Sequence, residues 1–433
     1  MESFYVIGTF LFILALLLGS GLWVGLALLG CAYIGMELFV TRPTGDAMMT
    51  ILWRSSSSWS LTALPLFIWM GEILHRTRLS EDMFNGLAPW LHRLPGGLLH
   101  TNIAGCTVFA AVSGSSAATC STVGRMSIPE LRKRNYPEHL IMGTLAGAAT
   151  LGLLIPPSLI LIVYGVTINE SITRLFIAGI IPGIILALLF MLYTAVAARF
   201  SRDWQPAGET TLSFKQKLAA SRTLIPVVAL ILLVIGSMYT GLATATEAAA
   251  VGVVGALVIS AIQRSLSWRT FTDSLMGATR TSAMIALLLA GAAFLTLAMG
   301  YIGLPRALAT WIGTLGLTQF QLLLVLLLFY VVIGMFLDGI SAVVLTIGII
   351  EPIIRQAGID PIWFGIFVVI TVEMAQITPP VGFNLFILQG MTKHDLGYLA
   401  RAAFPMFLVM IAMVMIMIAW PELATWLPQH INR

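Results

Sequence analysis

Two adjacent-proline motifs, Ile155-Pro156-Pro157-Ser158 and Thr378-Pro379-Pro380-Val381, carry the clearest chemical signal in the chain. Each lies inside an apolar run long enough to be a helix. Two consecutive prolines there remove two N–H donors and leave carbonyls unpaired. Carbonyl oxygens beside hydroxyls are the ligands a dehydrated Na⁺ needs, and the N-terminus of the helix that resumes after a break favours an anion. A proline can equally do no more than kink a packed helix. A matched pair of breaks, each beside a polar-tipped apolar stretch, weighs toward a binding site.

The tips are Ser113-Gly114-Ser115-Ser116-Ala117-Ala118-Thr119, within 98–124, and Asp338-Gly339, within 319–350. Small residues alone more often mean close helix packing. Paired with Pro156 and Pro157, however, Ser115, Ser116 and Thr119 become candidate ligands of one Na⁺. In the second tip Asp338 is the stronger signal, because a carboxylate inside an apolar run is costly and usually functional. Gly339, Thr378 and Asn384 would complete a second ion site around it. A solute between the tips would meet Ser115, Ser158, Asp338, Pro380 and Asn384. Arg125, just past the first tip, either meets a substrate carboxylate or anchors the chain at the cytoplasmic surface. Among the other acids, Glu37 and Glu72 lie near span ends, and Glu247 opens a helical run that it can cap or pair. Glu373, five residues before Thr378, reads equally as a proton or ion site or as a buried hydrogen-bonding group.

These residues must be positioned by helices in lipid. Of the 433 residues, 58% are hydrophobic and 10% charged, with mean hydropathy +0.96, whereas soluble domains carry roughly a quarter charged residues. Apolar runs of about 20 residues recur, each long enough to cross a ~30 Å hydrocarbon layer as a helix. None shows the two-residue alternation of a barrel strand. We read an all-α polytopic membrane protein with spans at 4–20, 22–40, 59–75, 140–166, 172–198, 224–240, 244–263, 282–300, 362–390 and 399–420. The first run has no Lys or Arg ahead of it, unlike a cleavable signal peptide, and is expected to be a mature helix. The two tip-bearing stretches are expected as re-entrant helical hairpins, since backbone freed mid-helix is tolerated only where protein or water surrounds it.

Charge supports the layout. With ten crossings and two returning hairpins, 17 of the 23 Lys and Arg fall on one side, which marks it as cytoplasmic and puts both termini in the periplasm. The order also repeats. Pro129, Pro156, Pro157 and Pro182 recur 223 residues later as Pro352, Pro379, Pro380 and Pro405; chance predicts about 0.4 such coincidences at one offset, so an internal repeat is indicated. Asp338 aligns with Ser115. Five crossings separate the hairpins, so the repeats are inverted, a transporter signature when broken helices sit in each half. Leu79–Leu94 and Gly303–Leu317 read either as amphipathic arms along the interface or as polar loops. The resulting division is 1–97 and 224–318 as scaffold helices with interfacial arms, 98–198 and 319–420 as two hairpin-plus-broken-helix repeats, 199–223 as a cytoplasmic loop, and 421–433 as a C-terminal tail.

Other chemistry is unsupported. Cys31, Cys106 and Cys120 lack CxxC spacing and read as small buried hydrophobes. No HExxH, GxSxG or GxxxxGK[ST] occurs, so zinc proteolysis, serine hydrolysis and intrinsic ATP hydrolysis have no motif.

At these residues the chain resembles the large membrane subunit, DctM, of tripartite ATP-independent periplasmic (TRAP) transporters, over essentially its whole length. The carriers are Ser113 to Thr119, Leu154-Ile155-Pro156-Pro157-Ser158, Thr244-Ala245-Thr246-Glu247-Ala248-Ala249-Ala250-Val251-Gly252, Leu337-Asp338-Gly339 and Thr378-Pro379-Pro380-Val381-Gly382. Ala245 stands where the family usually has Pro. The resemblance implies an elevator transporter of the ion-transporter superfamily, in which a domain holding both hairpins and both broken helices slides against a scaffold. It also implies a small four-helix membrane subunit (DctQ-type), a periplasmic substrate-binding protein (DctP-type), Na⁺ coupling without ATP, and a small organic acid as solute. Competing readings are a stand-alone ion-coupled symporter of the same fold, an ABC-type permease subunit, and an intramembrane enzyme, for which no nucleophile–base pair is visible.

Overall fold

The computed structural model describes residues 2–77, 79–200 and 213–431, and every regular element among them is helical. The first half runs α1 (Glu2–Gly19), α2 (Val24–Phe39), α3 (Thr44–Ser56), α4 (Ala63–His75), α5 (Leu79–Leu91), α6 (Leu99–Ser113), α7 (Ser116–Lys133), α8 (Glu138–Ala149), α9 (Leu151–Leu154), α10 (Leu159–Ile168), α11 (Ile172–Phe200) and α12 (Phe214–Ser221). The second runs α13 (Ile225–Tyr239), α14 (Ala245–Ile262), α15 (Trp268–Ile302), α16 (Leu304–Thr314), α17 (Gln319–Gly334), α18 (Gly339–Gln356), α19 (Pro361–Ala375), α20 (Phe383–Thr392), α21 (Leu396–Ala419) and α22 (Glu422–Ile431).

The 223-residue offset seen in the prolines holds for the helices. It carries α7, Ser116–Lys133, onto α18, Gly339–Gln356, at both ends. It likewise pairs α1 with α13, α2 with α14, α5 with α16, α6 with α17, α10 with α20 and α11 with α21. The repeat therefore extends through the whole chain rather than only the hairpin segments. One pair differs. Where the first half has α3, a 3-10 turn at Trp59–Thr62 and α4, the second has the single 35-residue helix α15. The expected span 282–300 is thus only the later part of a much longer helix.

Local sequence explains where elements start. Thr244 and Glu247 form a capping box at the head of α14, with the Thr244 N–H and hydroxyl both donating to Glu247, so Glu247 serves as a cap rather than as a buried charge. Thr318 with Gln321 does the same for α17, and Ser213 with Gln216 for α12. Both expected amphipathic arms are helices, α5 and α16. The segment expected as a tail contains α22, which packs on α11 and α19. Neither α3 nor α22 was foreseen, because each is short and its apolar residues lie on one face only.

Seven helical segments among the described residues are long and apolar enough to cross a membrane. Shorter apolar helices include α2, α6, α17 and α19, the last of which ends at a proline break. Among the seven is Gly339–Gln356, expected as half of a hairpin. Its repeat partner α7 is not among them, since Arg125, Glu130, Arg132 and Lys133 interrupt it, so length alone does not make the pair crossing helices.

Two groups of helices share one continuous core and touch where α4 meets α6 and α15 meets α18. In one, α2 lies along α15 and α14 along α4, while α4 and α15, which are repeat mates, meet each other. In the other, α8 lies along α21, α7 along α20 and α10 along α18. Each hairpin's second arm therefore runs beside the second half of the other repeat's broken helix. All three cysteines are free and buried.

Candidate ion and solute site

The first tip is built by local backbone bonds. Gly114 closes α6 in the left-handed region (φ +59°), and extended Ser115 then caps α7, its Oγ accepting from Ala118 N–H at 3.4 Å. Ser113 Oγ and Thr119 Oγ1 lie 2.8 Å apart, and Thr119 Oγ1 donates to the Ser115 carbonyl at 2.8 Å. Three oxygens from three residues thus gather under the tip. The tip rests on the first break, where Leu159 N–H donates to the Gly114 carbonyl at 3.4 Å. A methyl group on Gly114 would stand 2.8 Å from the Pro157 carbonyl, and one on Gly152 2.7 Å from both the Ser115 carbonyl and Thr119 Oγ1. Only glycine permits these approaches.

Pro156 and Pro157 are joined by a cis bond and buried. Ser158 is fully buried; it caps α10 through Leu161 N–H and donates its hydroxyl to the Leu153 carbonyl. One carbonyl expected to be left open by the break is therefore already engaged. The N-terminus of α10 lies against the tip that leads into α7, and a helix N-terminus favours an anion.

The second tip uses the same plan with different groups. Asp338 caps α18, accepting from Ser341 N–H at 3.2 Å and from the Ser341 hydroxyl. Gly339 is buried against Val372 of α19 and against Leu153 and Ile160 of the first repeat. Gln376 ties the tip to the second break: its Nε2 donates to the Leu337 carbonyl at 3.4 Å, and its own carbonyl accepts from Asn384 N–H at 3.1 Å. Thr378 Oγ1 donates to the Met374 carbonyl at 2.7 Å. Sequence reasoning passed over Gln376; a polar residue two positions before Thr378-Pro379 was the available signal.

The two breaks differ in access. Pro379 and Pro380, also cis, are exposed, and so is Asp338, whereas Pro156, Pro157 and Ser158 are buried. The structure brings Ser115, Thr119, Pro157 and Ser158 together, and it sets Asp338 and Gly339 beside the second break. Asn384 is fully buried just past the second break, its N–H bonded to the Gln376 carbonyl and its main-chain carbonyl 4.0 Å from Cys120 Sγ of α7. Ser116, expected at the first tip, instead donates to Glu373 at 3.3 Å. Arg125 is exposed on α7, nine residues or about 14 Å beyond Ser116, a position that suits a surface anchor better than a contact at the tips.

This arrangement of paired tips and paired breaks can be compared with known proteins. Residues 11–423 match the family model of the tripartite ATP-independent periplasmic transporter, DctM component. The chain belongs to this family. It is similar to the C4-dicarboxylate TRAP transporter large permease protein DctM of Pseudomonas aeruginosa, at 31% identity over 382 residues covering 88% of this chain and 89% of that one. It is also similar to the isethionate TRAP transporter permease protein DctMQ of Oleidesulfovibrio alaskensis, at 33% identity over 380 residues, covering 86% of this chain and 58% of that longer protein. Among solved structures, the YdaH transporter of Alcanivorax borkumensis superposes with a TM-score of 0.60 over 93% of this chain and 96% of that one, at 15% identity. That likeness speaks to the fold alone. As a DctM-family member the chain is the large permease of a TRAP transporter, a membrane transport component and not an enzyme.

Proposed function

We propose that this permease imports a small organic anion, a carboxylate, by Na⁺ symport across the bacterial inner membrane. The observation that carries this reading is the pairing of Ser115 with Asp338: each caps the second arm of a hairpin at a repeat-equivalent position, beside a Pro-Pro break. Hydroxyl and carbonyl oxygens at Ser113, Ser115 and Thr119 are hard ligands of the kind Na⁺ takes, and Asp338 offers a carboxylate at the other tip. The N-terminus of α10, beside the first tip, would hold the solute carboxylate. Relatives named for C4-dicarboxylates and for 2,3-diketo-L-gulonate favour an acid as solute.

The solute would arrive from a periplasmic binding protein, and a small membrane subunit would pair with this chain, as the DctMQ name of a relative suggests. Both termini would face the periplasm, following the Lys and Arg asymmetry. Residues 98–198 and 319–420 would move as one body against 1–97 and 224–318, with hairpins re-entering from opposite faces; the mutual packing of α7 with α20, α8 with α21 and α10 with α18 supports their moving together. The test is uptake by proteoliposomes holding all three components, with Na⁺ or choline outside. Uptake should collapse in choline. Equal rates in the two buffers would end the symport reading, and equal rates without the binding protein and small subunit would make this chain a stand-alone carrier.

A further inference from the structure

One packing arrangement of three helices occurs twice in this molecule. α8 packs on α21 and α11, and the 223-residue offset converts this set into α19 with α11 and α21, which also pack together. α8 and α19 start at equivalent residues, 138 and 361. The close approaches correspond as well. A methyl group on Gly143 would run into the Ala402 carbonyl. One on Gly179, the equivalent of Ala402, would stand 3.7 Å from Ile366, the equivalent of Gly143. The second set is therefore an internal control for the first.

The two sets are filled differently. In the second, Trp363 and Phe367 are buried and stack with ring centroids 5.5 Å apart, and α22 packs on α11 and α19. In the first, the equivalent residues are the smaller Leu140 and Thr144, and they line a cavity of about 310 Å³. The same cavity is lined by His139, Tyr193, Tyr398 and Arg401, where the other set has Ile362, Ile416, Leu175 and Ala178. Four positions that are apolar in one set thus carry hydrogen-bond donors in the other, around a space that larger side chains could have closed.

A cation among neutral donors calls for an anion. Among the described residues no acid pairs with Arg401. Glu138, next in sequence to His139, is already engaged, accepting from Arg132 Nε at 3.0 Å and meeting His394 Nε2 at 2.8 Å. One guanidinium with two phenol hydroxyls and an imidazole matches a singly charged phosphodiester, two of whose oxygens suit the arginine fork. Most of the accessible wall is apolar. Phe404 and Leu408 follow Arg401 at i+3 and i+7 on α21, and all three are exposed, so they share one face. A headgroup at Arg401 would continue into acyl chains lying along that face.

We propose that this cavity binds the headgroup of an anionic glycerophospholipid, its phosphodiester held by Arg401 with Tyr193, Tyr398 and His139. In the proposed orientation α21 begins at the cytoplasmic face, where basic pockets between helices recognise such headgroups. The lipid would join α21 of the second repeat to α8 and α11 of the first.

The experiment is native mass spectrometry of the full-length chain, released from detergent containing equal amounts of phosphatidylglycerol and phosphatidylcholine with the same acyl chains. Wild type should retain phosphatidylglycerol at least tenfold in preference, and Arg401→Ala should lose the preference. Millimolar inorganic phosphate should leave retention unchanged. Photo-crosslinking of wild type with a phosphatidylglycerol carrying a diazirine in its headgroup needs no variant and should label peptides holding residues 139–144 or 398–406. Retention without headgroup preference, an unchanged preference in folded Arg401→Ala, or labelling confined to other helices overturns the site. Displacement by inorganic phosphate overturns the lipid as its occupant. None of these readouts depends on Na⁺ coupling.

Discussion

Ser115 and Asp338 stand 223 residues apart and hold the same position, the residue that caps the second arm of a helix–tip–helix unit. One does so with a hydroxyl, the other with a carboxylate. Equivalent geometry with unequal charge means that the cap and the charge of Asp338 can be separated by substitution. Asp338→Asn keeps an acceptor for Ser341 N–H and should leave thermal stability nearly unchanged while abolishing Na⁺-driven uptake. Asp338→Ala should lose uptake and, with the cap, about 1 kcal/mol of stability. Wild-type uptake by the Asn variant would reduce Asp338 to a helix cap.

The glycine seats of the first tip give a second prediction. Gly114→Ala meets both a positive φ and the Pro157 carbonyl at 2.8 Å, and Gly152→Ala meets the Ser115 carbonyl at 2.7 Å. Each should lower the unfolding temperature and weaken Na⁺ binding at least tenfold. Gly300→Ala, on α15 with nothing within 4 Å, should be neutral or raise stability by up to about 1 kcal/mol, because alanine loses less backbone entropy in a helix. Equal effects at all three positions would show that the tip is not closely seated.

Access to the breaks can be read by thiol labelling. Ser158 and Val381 are repeat-equivalent, yet Ser158 is 0% exposed while the second break is open. Val381→Cys should react with N-ethylmaleimide at least tenfold faster than Ser158→Cys. The native cysteines are buried and should stay unlabelled until unfolding. Comparable rates at the two sites would contradict the difference in exposure.

A control comes from the capping box of α14. Thr244→Ala removes the group that accepts from Glu247 N–H and should cost about 1 kcal/mol of stability. The Na⁺ dependence of uptake should be unaltered. A shift in that dependence would tie α14 to ion binding.

Much of this was legible in the residues. The proline offset located the repeat because proline has few tolerated places in a helix, so its spacing survives when other side chains change. Ser115, Pro157 and Ser158 lie near one another in the structure, and each was conspicuous because it sits at a tip or a break. The contacts that Asn384 and Ser116 make across the repeats were not legible, for a physical reason. Which face of α20 or α7 a residue presents depends on the helix packed against it, and here that helix comes from the other repeat. The partnership of Ser116 with Glu373 spans 257 positions and leaves no local trace. The interruption between α3 and α4 was equally invisible, since the Ser55-Ser56-Ser57-Ser58 run reads as a loop whether or not a helix precedes it.

That interruption has a mechanical consequence. α15, at 35 residues, is a rod about 50 Å long with no joint, so a tilt imposed at one end is delivered at the other. Its counterpart is jointed at residues 57–62, and a cavity of about 440 Å³ opens at the joint between Ser55, Leu61 and Trp69 on one side and Thr279 and Ser282 of α15 on the other. The chain is thus braced by one stiff strut and one compliant one, and a load shared between its two halves will flex the jointed strut before it bends the rod.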